Sequence, residues 1–208
     1  MRDRPSVPPT YVDATRLWVD SRPRAFVQRR GEAAILRRLG GEVTGGTVLE
    51  LGTGRRGTGL RLAVDVFGAD RAEGIDRHPA SVSASRAALA DLGGRVDVRE
   101  GDATALPAAE ASYDAVFAYH VLHHAEAWRD VVREAARVLR PGGRFFSCEM
   151  TARFVDSRLL RAVAFHPADA DRPTPSGLAA ACQEAGLTVA AQENRLAGCW
   201  TALVATRT

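Results

Sequence analysis

The chain has 208 residues, 46% hydrophobic and 25% charged, a balance ordinary for one globular domain. Its formal net charge is +3, and all 28 of its basic residues are arginine. The absence of lysine excludes Schiff-base and ordinary pyridoxal phosphate chemistry, a Walker A phosphate loop and a protein kinase, since each needs a lysine amine.

Residues 1–20 are rich in proline and polar residues, with Tyr11 and Trp18 as isolated aromatics. They read as a loose arm, without the apolar stretch of a signal peptide. Ser21-Arg22-Pro23 then reads as a helix start, with Ser21 as N-cap and Pro23 in the first turn. This helix carries Phe26, Val27, Ala34, Ile35, Leu36 and Leu39, and stops at Gly40-Gly41. Residues 1–61 hold 12 arginines against 6 acids. Arg29, Arg30, Arg37 and Arg38 fall on the helix without interleaved aromatics, so they read as a solvated face rather than a nucleic-acid patch.

From residue 47 strands and helices alternate. Thr47–Leu51 is a strand, followed by a glycine-rich turn. The next helix sets Leu60, Ala63, Val64 and Phe67 on one apolar face and ends at Gly68. A second strand runs to Asp76, a helix runs from Pro79 to Gly93-Gly94, and a third strand covers 95–99. The fourth strand covers 113–118. A helix over 126–139 aligns Trp128, Val131, Val132, Ala135, Val138 and Leu139, and Pro141-Gly142-Gly143 breaks it. A fifth strand covers 144–150. Residues 151–173 lack a period and read as a lid. A last helix carries Leu178, Ala181, Cys182 and Ala185, and strands at 187–194 and 199–206 form a hairpin. This alternation predicts an α/β, doubly wound, mostly parallel sheet with helices on both faces and an antiparallel strand at the C-terminal end. Cys148, Cys182 and Cys199 are scattered, which argues against a disulfide framework and for a reducing cytoplasm. No run of about 18 apolar residues is present, so no membrane insertion is expected.

The turn after the first strand reads Glu50-Leu51-Gly52-Thr53-Gly54-Arg55-Arg56-Gly57, and Gly52, Gly54 and Gly57 match GxGxxG. Such a turn lets a ligand approach the backbone and aims a helix N-terminus at it. Taken alone it fits a nicotinamide dinucleotide, S-adenosylmethionine or a purely structural turn. Asp76 ends the second strand, where a carboxylate can accept ribose hydroxyls. Gly101-Asp102-Ala103 follows the third strand, and Tyr113-Asp114-Ala115-Val116, Leu122-His123-His124 and Leu139-Arg140-Pro141-Gly142-Gly143 follow in order.

This ordered set resembles the class I S-adenosylmethionine-dependent methyltransferases, and most the small-molecule branch that includes the quinone-biosynthesis enzymes. The resemblance covers residues 47–150, and the tail in pattern. It implies a Rossmann-like seven-stranded sheet and S-adenosyl-L-methionine as cofactor, with S-adenosyl-L-homocysteine as product. It places Glu50 near the methionine amino group, Gly52, Thr53 and Gly54 in the cofactor turn, and Asp76 on the ribose with Arg77 beside it. It sets Asp102 and Ala103 at the adenine, and Tyr119 and His120 between the methionine and the substrate. The family's third glycine falls where Arg56 stands, with Gly57 as its displaced equivalent. A dinucleotide enzyme usually has an apolar residue in the place of Glu50 and a second catalytic domain.

Methyl transfer is an in-line displacement in which the protein mainly aligns the partners. A base is needed only when the acceptor loses a proton. His120, His123 and His124 cluster past the fourth strand, and one of them is the candidate base, His120 first. A packing or helix-capping role competes for His124. A metal held by these histidines with Glu126 is a further reading, but adjacent histidines on one turn rarely converge on an ion, and no metal is expected. His78 and His166 read as non-catalytic. A single domain is expected: arm and first helix (1–40) covering the substrate with Phe26, cofactor core (41–150), lid (151–173), and C-terminal helix and hairpin (174–208). Arg22, Arg24, Arg153 or Arg158 could grip a carboxylate. The acceptor is expected to be an anionic or aromatic small molecule, a secondary metabolite methylated on O, N or C, in a cytoplasmic monomer or homodimer without nucleic acid. The competing readings are a cofactor-binding fold that catalyses another reaction or scaffolds a partner, for which Arg56 speaks, and nucleic-acid methylation, for which the basic first segment speaks.

Overall fold

A computed structural model describes residues 21–157 and 171–208. The expected arm at 1–20, with Tyr11 and Trp18, and Arg158 and His166 of the expected lid fall outside this range. Helix α1 (Arg22–Val27) begins as expected: the Ser21 hydroxyl accepts the Arg24 N–H at 3.1 Å, and Pro23 sits where its missing N–H costs nothing. A π-helical turn, Gln28–Glu32, joins it to α2 (Ala33–Gly40). The turn adds a residue and shifts the helical phase. Ala33, Ile35 and Leu36 are buried, whereas Phe26 and Val27 are 63% and 45% exposed. The apolar face expected along the whole helix is thus confined to its second half.

The alternating pattern yields β1 (Thr47–Leu51), α3 (Thr58–Asp65), β2 (Arg71–Asp76), α4 (Pro79–Ala88), β3 (Val96–Glu100), β4 (Tyr113–Tyr119), α5 (Trp128–Val138) and β5 (Leu139–Met150). The short α6 (Ala152–Val155), α7 (Pro175–Glu184), β6 (Leu187–Arg195) and β7 (Trp200–Arg207) complete the described elements. The seven-stranded sheet has the order β3-β2-β1-β4-β5-β7-β6. Strands β1 to β5 pair in parallel, and β7 runs antiparallel to both β5 and β6.

Two boundaries differ most from expectation. Helix α4 stops at Ala88, and a 3-10 stretch, Ala90–Arg95, follows where the helix was expected to continue. Strand β5 starts at Leu139 rather than at 144. The register slips between Tyr113 and Ala115 of β4, and this slip absorbs the Pro141-Gly142-Gly143 segment.

Side chains alternate between two cores, one per face. In β4, Ala115, Phe117 and Tyr119 join the core under α2, α3 and α4, while Val116 and Ala118 join the core under α5 and α7. The first core is built on Phe67, Phe117 and Phe146, all within 1% of full burial. Their centroids lie 4.8, 5.4 and 4.7 Å apart, edge-on for the two Phe67 pairs and stacked for Phe117 with Phe146. By the same alternation Glu50 of β1 points into this face. The strand order reverses between β1 and β4, and in such sheets ligands bind beyond the carboxyl ends at that point. There lie the Gly52–Gly57 turn and His120.

Phe117 touches both other rings, so Phe117→Ala should destabilise the fold by about 3–5 kcal/mol, read as a lower urea midpoint at unchanged slope. A loss under about 1 kcal/mol would show that the ring cluster does not anchor this face.

Candidate active site

The turn after β1 is held by the end of β2. Gly52 and Thr53 donate their N–H groups to the Ile75 carbonyl at 2.8 and 3.2 Å. The Gly54 N–H donates to Asp76 Oδ2 at 2.9 Å, and the His78 N–H donates to Asp76 Oδ1 at 2.9 Å. Asp76 therefore ties the turn to the start of α4. Gly52, Gly54 and Gly57 all have positive φ, at 70°, 59° and 54°. Gly57 is the residue before α3, and a Cβ there would sit 2.4 Å from Leu89 Cδ1. The glycine requirement therefore falls on Gly57, while Arg55 and Arg56 are exposed.

Glu50 is 3% exposed. Its Oε2 accepts the Leu60 N–H at 2.9 Å, and the Gly59 N–H also donates to this carboxyl. Two otherwise unpaired donors of the first turn of α3 are thus capped from a neighbouring strand. Burial pushes the Glu50 carboxyl well above the usual carboxylate range against the pull of the Leu60 amide, and the Asp76 charge adds to the push. The approach needs Gly59, because a Cβ there would stand 1.9 Å from Oε1 and 3.0 Å from Tyr119 Cδ2. Gly74 has a matching role in β2, where a Cβ would meet Thr53 Cγ2 at 2.4 Å. Neither glycine stood out in the sequence, since each lies inside a regular element rather than in the turn.

Among the other expected cofactor residues, Asp102 is exposed, and its Oδ1 accepts both the N–H and the hydroxyl of Thr104 at 2.8 Å. These bonds hold its carboxyl below the usual range. Ala103 is half-buried beside it, and Arg77 is exposed with Nε 3.4 Å from His78 Nε2. Tyr119 is the last residue of β4 and is buried; burial pushes its phenol well up, and its hydroxyl has no hydrogen-bond partner among the described residues.

The three histidines differ. His120 holds a left-handed backbone, φ 55°, and its N–H donates to the Cys148 carbonyl at 2.8 Å. Its Nε2 lies 3.0 Å from Glu32 Oε1, and Arg24 Nη2 donates to Glu32 Oε2 at 2.9 Å. Burial raises the Glu32 carboxyl, but the charges and hydrogen bonds of His120 and Arg24 outweigh it and leave the group below its usual value. His123 Nδ1 lies 2.8 Å from Glu149 Oε2, and Glu149 Oε1 accepts the Val121 and Leu122 N–H groups at 2.8 and 3.0 Å. The exposed His124 packs its ring on His123, with centroids 4.0 Å apart. Both carboxylate partners escaped the sequence reading. Glu149 left a trace as an acid inside an apolar strand, whereas Glu32 left none.

A cleft of about 540 Å³ opens beside α1 and the arginine turn, lined by Phe26, Arg29, Arg55, Arg56 and Arg61 among others. None of Glu50, Asp76 or His120 lines it, so it flanks the chemical groups rather than holding them. No helix among the described residues is long and apolar enough to cross a membrane.

Residues 49–147 match the family model described as a methyltransferase domain. The chain is 39% identical over 116 residues to a probable S-adenosylmethionine-dependent methyltransferase of Mycolicibacterium smegmatis, covering 56% of this chain and 42% of the relative. It is 37% identical over 100 residues to the 27-O-demethylrifamycin SV methyltransferase of Amycolatopsis mediterranei, covering 48% and 37%. The chain thus spans about two fifths of the length of these curated relatives. Its fold is similar to that of a SAM-dependent methyltransferase from Aquifex aeolicus, with a TM-score of 0.71 at 16% identity over 95% of this chain and 100% of the other.

Gly59→Ala should displace the Glu50 carboxylate and weaken S-adenosylhomocysteine binding at least about tenfold, a loss of about 1.4 kcal/mol. Calorimetric titration reads this, and unchanged affinity would show that the close approach of Glu50 to α3 does not serve the ligand.

Proposed function

We propose that the chain transfers a methyl group from S-adenosylmethionine to a small molecule, a reading supported by the match of residues 49–147 to a methyltransferase domain model. The observation that carries this reading is the buried Glu50 carboxyl at the N-terminus of α3, next to a turn of positive-φ glycines closed by Asp76. These residues fit the family's cofactor. Glu50 offers a buried carboxylate for an amino group. Gly54 leaves open space, with nothing within 4 Å of where a Cβ would stand. Asp76 accepts one backbone N–H on each oxygen, and a carboxylate has about four lone-pair sites in all, so ribose hydroxyls can be accepted as well. Asp102 and Ala103 flank the same strand ends and would receive the adenine, with Thr53 and Arg77 completing the wall.

S-adenosylmethionine supplies an activated methyl on a sulfonium, and this chain supplies alignment and proton handling. His120 and His123 are each paired with a buried carboxylate and are the candidate bases, while His124 is exposed. The domain plan follows: a core over 41–150, with the segments at 1–40 and 151–173 as substrate cover and the helix and hairpin of 174–208 completing the sheet. The acceptor in this reading is an anionic or aromatic small molecule, and the rifamycin methyltransferase relative supports a secondary metabolite. The free cysteines support a cytoplasmic location. Arg56, which favoured a non-methylating or scaffolding role, is exposed, and Gly57 meets the backbone requirement of the turn. That reading therefore loses its support.

S-adenosylhomocysteine should bind the chain with a Kd below about 1 mM, and Asp76→Ala should weaken it at least about tenfold; heat-silent titrations of the wild-type chain would sink the proposal. Glu50 also fixes a pH effect. Its folded carboxyl is raised by burial, and an incoming ammonium group would pull it back down. Binding should therefore release a proton, and affinity should climb as pH rises toward the raised value. Calorimetry in buffers of different ionisation enthalpy reads that proton, and buffer-independent heats would remove this role of Glu50.

A further inference from the structure

Arg24 of α1, Glu32 of the π-helical turn and His120 beyond β4 bring their side chains into one buried group, 9%, 9% and 12% exposed. An ion pair serving stability alone would close on itself. Here three buried polar atoms around it have no hydrogen-bond partner among the described residues: Arg24 Nη1, His120 Nδ1 and Tyr119 Oη. The charges of Glu32 and Arg24 both act on Tyr119, which places it in the same neighbourhood. Buried polar groups are nearly always paired, and orphans grouped together mark a place for a ligand. Two further costs meet at this spot. His120 is a non-glycine residue in the left-handed region, and Glu32 sits in a π-helical turn, a feature frequent at functional sites.

The chemistry of the pair fixes the tautomer. An ionised carboxylate only accepts hydrogen bonds, so Nε2 of His120 must carry the proton that it gives to Glu32 Oε1. The lone pair of a neutral imidazole then lies on Nδ1, the buried atom without a partner.

Resting on the methyl-transfer reading above, we propose that this group is the acceptor subsite, that it takes an alcohol or phenol hydroxyl, that His120 Nδ1 is the base, and that Glu32, held by Arg24, positions it. The hydroxyl oxygen bonds to the methyl carbon as the carbon–sulfur bond breaks, with that electron pair remaining on sulfur. The hydroxyl proton passes to Nδ1, and the resulting imidazolium is neutralised by Glu32 until the proton leaves to water. Arg24 Nη1 and Tyr119 Oη are free to bind oxygens of the acceptor. A rival use of the same residues is a metal: one ligand atom each of Glu32, His120 and Cys148 lie within 4.8 Å of one another. The Arg24 guanidinium on Glu32 opposes a second cation there.

Nitrogen-15 NMR of the imidazoles in the cofactor-free chain tests the assignment without turnover. His120 should show the Nε2–H tautomer, and phenol added to the S-adenosylhomocysteine complex should shift Nδ1. Glu32→Gln, whose amide can donate to Nε2, should move the proton to Nδ1 and abolish the phenol-induced shift. Its affinity for S-adenosylhomocysteine should stay within about twofold of wild type. An Nδ1–H tautomer in the wild-type chain, a phenol titration that leaves Nδ1 unmoved, or zinc that binds stoichiometrically and occupies His120 would each overturn the proposal. The wild-type measurements decide it even if the variant does not fold. Failure of the wild-type chain to bind S-adenosylhomocysteine would instead remove the methyl-transfer premise, which the tautomer measurement does not read.

Discussion

The first turn of α3 has backbone donors with no partner inside the helix, and its preceding residue, Gly57, has no side chain with which to cap them. Glu50 fills the gap from β1, and much of the local architecture follows. A carboxylate brought so close demands glycine at 59, fixes how deeply α3 seats on the sheet, and leaves the turn before it to run in left-handed conformations. Asp76 then closes the other side by accepting from Gly54 and His78. The partial positive end of α3 favours the charged form of Glu50 while burial disfavours it, and burial prevails. A cationic ligand group would reverse that balance, and in the proposed reading the helix cap and the ligand's anchor are one side chain.

The ends of β4 and β5 repeat the device of a buried glutamate with a histidine, to different effect. Glu149 is fully buried and accepts two successive backbone N–H groups as well as His123, so it shapes the chain past His120. Glu32 comes from a separate helix and accepts from side chains alone among its described bonds. The first pair is a local brace. The second bridges the first helical segment and the sheet, so the position of that segment and the orientation of His120 are coupled.

Elements were legible where a periodic pattern met an unambiguous stop, as in the helix of Trp128, Val131, Val132 and Ala135, or in the hairpin around Leu196. Boundaries slipped where tertiary pairing overrode local signals. Pro141-Gly142-Gly143 looks like a break, yet β5 runs through it because β4 accommodates the extra residues in a shifted register. The glycine turn, Asp76 and the histidine cluster were visible because their chemistry is local in sequence. Glu32 lies 88 positions from His120, and its burial depends on a π-turn that no simple apolar period reveals. Gly59 and Gly74 were hidden for a related reason, since what they avoid touching lies on another strand or turn.

Strand β7 lies between β5 and β6, although β6 precedes it in the chain. Among the described residues β6 pairs within the sheet with β7 alone. Strand β6 thus reaches the rest of the sheet through β7, which pairs with β5. Arg207, at the end of β7, then bonds the carbonyls of Arg137 and Leu139 and the Glu110 carboxylate, fastening the hairpin to the opposite end of the sheet from the site. The parallel half that carries Glu50 and Asp76 is joined by βαβ connections, while the far edge depends on the hairpin. Loosening that edge should reach the region around Cys148 and Glu149 through β5 before it reaches the glycine turn, which is two strands further in.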